Sequence, residues 1–138
     1  MPDSTAVNRI DDRESACAAP ALDLAHLSRQ TFGDRALELE LLTLFDRQAA
    51  QSAARLSESH REGDAGSRAD LAHTLKGSAR AVGAFRLGDA AEAYETALRG
   101  GDPQADARCA AVLDAIATAR GAIVTFIKTA NAGGGAAG

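Results

Sequence analysis

Asp70-Leu71-Ala72-His73-Thr74-Leu75-Lys76-Gly77-Ser78-Ala79, continuing through Arg80-Ala81-Val82-Gly83-Ala84, reads as a helix that carries one conspicuous histidine. At about 100° per residue, Leu71, Leu75, Ser78, Ala79 and Val82 gather on one side, and His73, Lys76, Gly77, Arg80 and Ala84 on the other. His73 is therefore expected almost opposite the apolar stripe. His73, Lys76 and Gly77 are spaced i, i+3, i+4, which makes an imidazole, an ammonium group and a bare patch of backbone surface neighbours. Glycine inside a helix costs roughly 1 kcal/mol against alanine. A glycine one turn beyond a histidine implies that something must come close to the ring.

The run His73-Thr74-Leu75-Lys76-Gly77-Ser78-Ala79, followed by Val82-Gly83-Ala84, closely resembles the signature of histidine-containing phosphotransfer (HPt) domains. These domains carry a phosphoryl group on histidine between receiver domains in multistep two-component relays. The pattern H-x-L-K-G-small-small, then hydrophobic-G-small, is met at every defined position. The resemblance extends over about residues 21 to 130.

Composition permits that fold. A chain of 138 residues suits one domain with a modest core. Aromatics are 4% with no Trp, while Ala and Leu abound, so helices are favoured over strands. A formal charge of −4 argues against a nucleic-acid binder. Cys17 and Cys109 lack any C-x-x-C spacing, so metal, haem and redox sites find no support in them. No apolar run is read as reaching the roughly 18 residues of a membrane span, and no charged-then-apolar leader opens the chain. A soluble, cytoplasmic, monomeric protein is expected.

Outward from the histidine helix, the elements follow by period and punctuation. Residues 1 to 20 have no period and are expected to form a flexible tail. Ala21 to Leu27 predict a short helix. Thr31-Phe32-Gly33-Asp34 predicts a turn with Asp34 as N-cap, and from there to about Ser59 an amphipathic helix is expected to bury Leu37, Leu41, Leu44, Phe45, Ala49, Ser52 and Leu56. After a break at 61–67, Asp64 or Ser67 can cap the His73 helix, and Ser67 to Asp70 has capping-box spacing. A third helix from Arg86 to about Leu98 places Leu87, Ala90, Ala91, Tyr94 and Leu98 inward, and ends at Gly100-Gly101. Asp102-Pro103 predicts the start of the fourth, which buries Val112, Leu113, Ile116, Ile123 and Ile127. Residues 131 to 138 are nearly all Gly and Ala and are expected to be disordered. The expectation is an all-α chain: an antiparallel up-down four-helix bundle with a short additional N-terminal helix.

The resemblance assigns the chemistry. A phosphohistidine needs one ring nitrogen exposed as nucleophile and the other tied down as a donor. An acidic or amide side chain on the following helix supplies that tie in the family, and the matching position is Glu95. Lys76 matches the lysine near the phosphoryl group, where a cation offsets developing charge. Gly77 matches the glycine that leaves room for the incoming receiver, and Gly83 is assigned to packing or helix termination. Arg80, with Arg68 and Arg86, is expected to form a basic rim towards the acidic, Mg²⁺-holding receiver site. No cofactor of this chain's own is implied. The implied partners are response regulator receivers and a hybrid histidine kinase.

Two other readings remain at this point. One is a helical adaptor that docks receivers without phosphotransfer. The other is a metal-binding bundle, because Asp23-Leu24-Ala25-His26 repeats the tetrapeptide Asp70 to His73, and carboxylate-x-x-His pairs on two helices bind metals in di-iron bundles. His60 is expected at a helix end, where its charge meets the dipole. With no Gly-rich phosphate loop and no α/β region, ATP-dependent kinase activity is not expected.

Overall fold

The computed structural model describes residues 20–58 and 64–137. Among them are helices α1 (Leu24–Thr31), α2 (Arg35–Leu56), α3 (Ala65–Val82), α4 (Phe85–Arg99) and α5 (Ala105–Ala137). Each long helix packs on two others, α2 on α3 and α5, and α4 on α3 and α5, while α1 lies across α2 and α3. With short connections this is the expected up-down four-helix bundle with one added N-terminal helix.

The boundaries follow from caps. Asp23 accepts a hydrogen bond from the His26 amide at 3.0 Å, so α1 begins at Leu24, later than the sequence implied. It ends where Phe32 turns left-handed at φ 54, with Gly33 following at φ 77. Asp34 then caps α2 through the Leu37 amide at 3.1 Å. The capping box of Ser67 and Asp70 does not form, because α3 already begins at Ala65 and Ser67 lies inside its first turn, donating to the Asp64 carbonyl at 3.4 Å. Asp102 caps a turn through the Gln104 amide, which delays α5 to Ala105.

Gly83 closes α3 at φ 91 and accepts the Asp23 amide on its carbonyl at 2.8 Å. A Cβ there would stand 2.7 Å from the Asp23 carbonyl oxygen. The entry to α1 is thus seated on the end of α3, and only glycine allows both the backbone turn and the approach. Only Gly83 and Ala84 separate α3 from α4, and the two helices pack side by side as an antiparallel hairpin.

The core face of α2 differs from the expected one. Leu42 is fully buried, whereas Leu37 and Leu44 are exposed. Five leucines between 37 and 44 leave the helix with no unique apolar stripe, and its phase is set elsewhere. Glu38 turns inward, accepting from Thr31 Oγ1 at 3.0 Å and pairing with Arg35 at 3.2 Å. With Glu38 fixed, Leu42, Phe45, Ala49, Ser52 and Leu56 follow it inward at helical spacing.

Arg68 also departs from expectation, since it is buried rather than on a basic rim. Its guanidinium donates to the Leu56 and Glu58 carbonyls and to Tyr94 Oη, beside the buried free thiol of Cys109. The unpaired carbonyls at the end of α2 attract that cation. Ala84, placed with His73 by periodicity, is buried too, because it lies beyond the end of α3.

The helix of α5 continues to Ala137 where the Gly/Ala stretch was expected to be disordered. Adding residues to a formed helix avoids the cost of nucleation. By length and composition Ala105–Ala132 is also apolar enough to cross a membrane, with a mean hydropathy of 1.6, contrary to the expectation that no run reaches that length. Val112, Ile116, Ala119 and Ile123 are nonetheless buried in the bundle core. Residues 1–19, which hold Cys17, and His60 lie outside the described residues.

The phase of α2 is open to a direct check. Leu42→Ala is expected to cost about 2–5 kcal/mol of unfolding free energy, and Leu44→Ala no more than about 0.5 kcal/mol. Urea denaturation measures both, and equal losses would contradict the buried face described above.

Candidate functional site

The seam between α3 and α4 builds the site. Ala72 on α3 and Tyr94 on α4 are both fully buried, and His73 and Glu95 each follow one of them, about 100° further round. On antiparallel neighbours the two steps turn in opposite senses, so both side chains arrive on the same side of the seam. Small residues narrow the gap. Ala72, Ala79 and Ala91 are fully buried, and at Gly88 a Cβ would lie 2.8 Å from Arg80 Cγ.

Glu95 is the centre of the resulting cluster. His73 Nδ1 lies 3.0 Å from its Oε2 and 3.3 Å from Oε1. Lys76 Nζ donates to Oε1 at 3.1 Å and Arg99 Nε to Oε2 at 3.1 Å. Arg99 reaches back to α3 as well, through Nη2 to Asp70 Oδ1 at 3.2 Å. The His73 side chain is 62% exposed, against 12% for Glu95. An ionised carboxylate only accepts, so Nδ1 carries the proton in the neutral ring. Nε2 then keeps its lone pair on the exposed side.

The charge state of Glu95 is settled by opposing effects. Burial pushes its carboxyl up, and the hydrogen bonds from Lys76 and Arg99, with the nearby positive charge, outweigh that and hold it below its ordinary value of 4.5. The carboxylate stays ionised although little of it meets water.

The residues singled out by sequence fall into two groups. His73, Lys76 and Glu95 are brought together as described. Gly77 is exposed one turn beyond His73, with nothing within 4 Å of an added Cβ, so no contact among the described residues requires glycine there. Arg80 is held by Asp89 and Glu92, at 3.1 Å each, and takes no part in the Glu95 cluster. Gly83 serves termination and packing. His26 is placed apart, its Nε2 at 3.2 Å from the Ala81 carbonyl and its ring edge-on to Phe85. The two copies of Asp-Leu-Ala-His are thus used differently, Asp23 as a helix cap and Asp70 as the partner of Arg99.

Sequence reasoning missed Arg99 and the role of Asp70. The signal was present, since Glu95 and Arg99 are spaced i, i+4, the separation at which helical ion pairs meet.

An Hpt domain family model matches residues 40–122, more than half of the chain and all of the cluster around Glu95. Comparison with curated proteins and with solved structures returns no significant match.

The depressed carboxyl carries a consequence for stability. Glu95 holds its proton less tightly in the folded chain than in the unfolded one, so the unfolded state binds more protons at low pH and stability rises with pH there. The contribution is complete above 4.5 and is lost as pH falls through the lower folded value. Glu95→Gln should flatten the acid limb. Urea midpoints measured between about pH 3 and 6 test this, and parallel curves for wild type and variant would assign the acid sensitivity to other groups.

Proposed function

Because this chain belongs to the Hpt domain family, whose members carry out histidine phosphotransfer in phosphorelays and interact with receiver domains of response regulators and hybrid kinases, we propose that His73 is its phosphoryl-accepting residue. The observation that carries this reading is the hydrogen bond of His73 Nδ1 to a buried carboxylate, which leaves Nε2 as an exposed nucleophile.

In the proposed reaction the lone pair of Nε2 attacks the phosphorus of an aspartyl phosphate on a receiver. The N–P bond forms, the P–O bond to the aspartate breaks, and the carboxylate leaves with the electron pair. The ring keeps its Nδ1 proton and becomes positively charged, facing Glu95. Reversing the step on a second receiver passes the group on. Lys76, one turn from His73, offsets charge on the transferring oxygens. The site's one buried carboxylate is already engaged by His73, Lys76 and Arg99. That donor set suits an anion and leaves the Mg²⁺ of the reaction to the receiver. Gly77 keeps the approach to the ring open. Hpt domain proteins are generally soluble, and this reading places the chain in the cytoplasm as a monomer that works between a hybrid histidine kinase and a response regulator, without ATP chemistry of its own.

The test is to incubate the chain with phosphorylated receiver domains and look for acid-labile, base-stable phosphate. His73→Gln is expected to abolish acceptance and leave the melting temperature nearly unchanged, because the side chain is exposed. Acceptance that survives moves the site to His26 or His60, and receiver binding without any phosphate favours the adaptor reading. Gly77→Leu is expected to stabilise the helix slightly, by up to about 1 kcal/mol, and to slow transfer about tenfold or more by obstructing the approach. Thermal unfolding read beside the transfer rate checks this. An unhindered rate would show that Gly77 does not serve access.

A further inference from the structure

Arg99 takes no part in the bond changes described above, yet it is tied to both helices of the site. Its guanidinium donates through Nε to Glu95 on its own helix and through Nη2 to Asp70 on α3, one turn before His73. The planar fork fixes the relation between the two carboxylates in a way that a single ammonium group does not.

The charges around His73 explain why a second cation is needed. Glu95 and Asp70 bring two negative charges, Lys76 and Arg99 two positive ones, and Lys76 and Arg99 share the two oxygens of Glu95. For Lys76 to act on phosphoryl oxygens it must turn away from Oε1. A carboxylate this buried is costly without a cation, so Lys76 alone would be held where it is or would release a poorly compensated Glu95. With Arg99 on Oε2 and Asp70 behind it, the carboxylate stays ionised and in place. The newly cationic ring then faces Glu95, and Lys76 faces the phosphoryl group.

Resting on the phosphotransfer reading, we propose that Arg99 is a positioning residue of this reaction: clamped between Asp70 and Glu95, it keeps Glu95 on His73 Nδ1 while Lys76 turns from that carboxylate to the phosphoryl oxygens. Arg99 acts through Glu95 and does not touch the transferred group.

The experiment uses the full chain with Arg99→Met and Arg99→Lys, each alone and in a Glu95→Gln background. Two quantities are read. One is the rate of single-turnover transfer from a phosphorylated receiver at saturating and subsaturating concentrations. The other is the share of the His73 ring that carries its proton on Nδ1, from ¹⁵N NMR of the unphosphorylated protein. Arg99→Met is expected to slow the saturated rate about tenfold, to leave the half-saturating receiver concentration unchanged, and to lower the Nδ1–H share. Arg99→Lys should recover part of both. In the Glu95→Gln background Arg99→Met should have little further effect. An equal slowing in that background overturns the proposal, because Arg99 would then act without Glu95. So does a raised half-saturation with an unchanged saturated rate, which would make Arg99 a receiver contact. Should Arg99→Met fail to fold, Asp70→Asn loosens the same clamp from its far end and must shift both readouts in the same direction. A wild-type chain that takes no phosphate fails before any substitution and overturns the phosphotransfer reading itself.

Discussion

The carboxylate of Glu95 is the point on which this structure turns. It is buried yet ionised, and it stays so because donors from two helices converge on its two oxygens. Remove the convergence and the charge has to be neutralised or drawn out to water. The packing of α3 on α4 is what brings the donors within reach. A two-residue turn keeps the helices adjacent, and alanines along the seam let them come close. The helix pair and the cluster thus depend on one another: the seam positions the groups, and their pairing fixes how α3 and α4 align.

An ion cluster of this kind is a device for geometry more than for stability. Desolvation offsets much of the Coulombic gain between buried charges, and the core is held by Leu75, Leu87, Tyr94, Val112 and Ile116 and their neighbours. What the cluster adds is direction. It sets which imidazole nitrogen carries the proton and which faces outward, and a nucleophile depends on that choice. The buried Arg68 does the opposite work at the far end of α2. Its cation satisfies carbonyls that the helix end leaves unpaired, and it holds Tyr94, the neighbour of Glu95, by its hydroxyl.

Much of the site was legible because its residues are local in sequence. His73, Lys76 and Gly77 lie within about one helical turn, so periodicity alone makes them neighbours. Glu95 lies on another helix and was placed by resemblance; the structure then brought its carboxylate to Nδ1 of the ring. Arg99 escaped notice although its spacing from Glu95 was readable, because an i, i+4 ion pair on a helix surface is usually worth little. Only the burial of Glu95 gives that pair weight. Arg68 and Arg80 look like surface cations in sequence, and the fold uses one to cap a helix and pairs the other with Asp89 and Glu92.

The sequence by itself determined the helices, their order and the exposed histidine face, since caps, glycines and helical spacing act between residues a few positions apart. Tertiary structure decided the rest. The phase of α2 was open among its leucines until Glu38 met Thr31 of α1 and the other helices covered Leu42, Phe45, Ala49 and Leu56. The partners of Glu95 were open until α3 met α4. Both are questions of which side of a helix another helix covers, and that is settled by burial summed over the whole core rather than by any local preference.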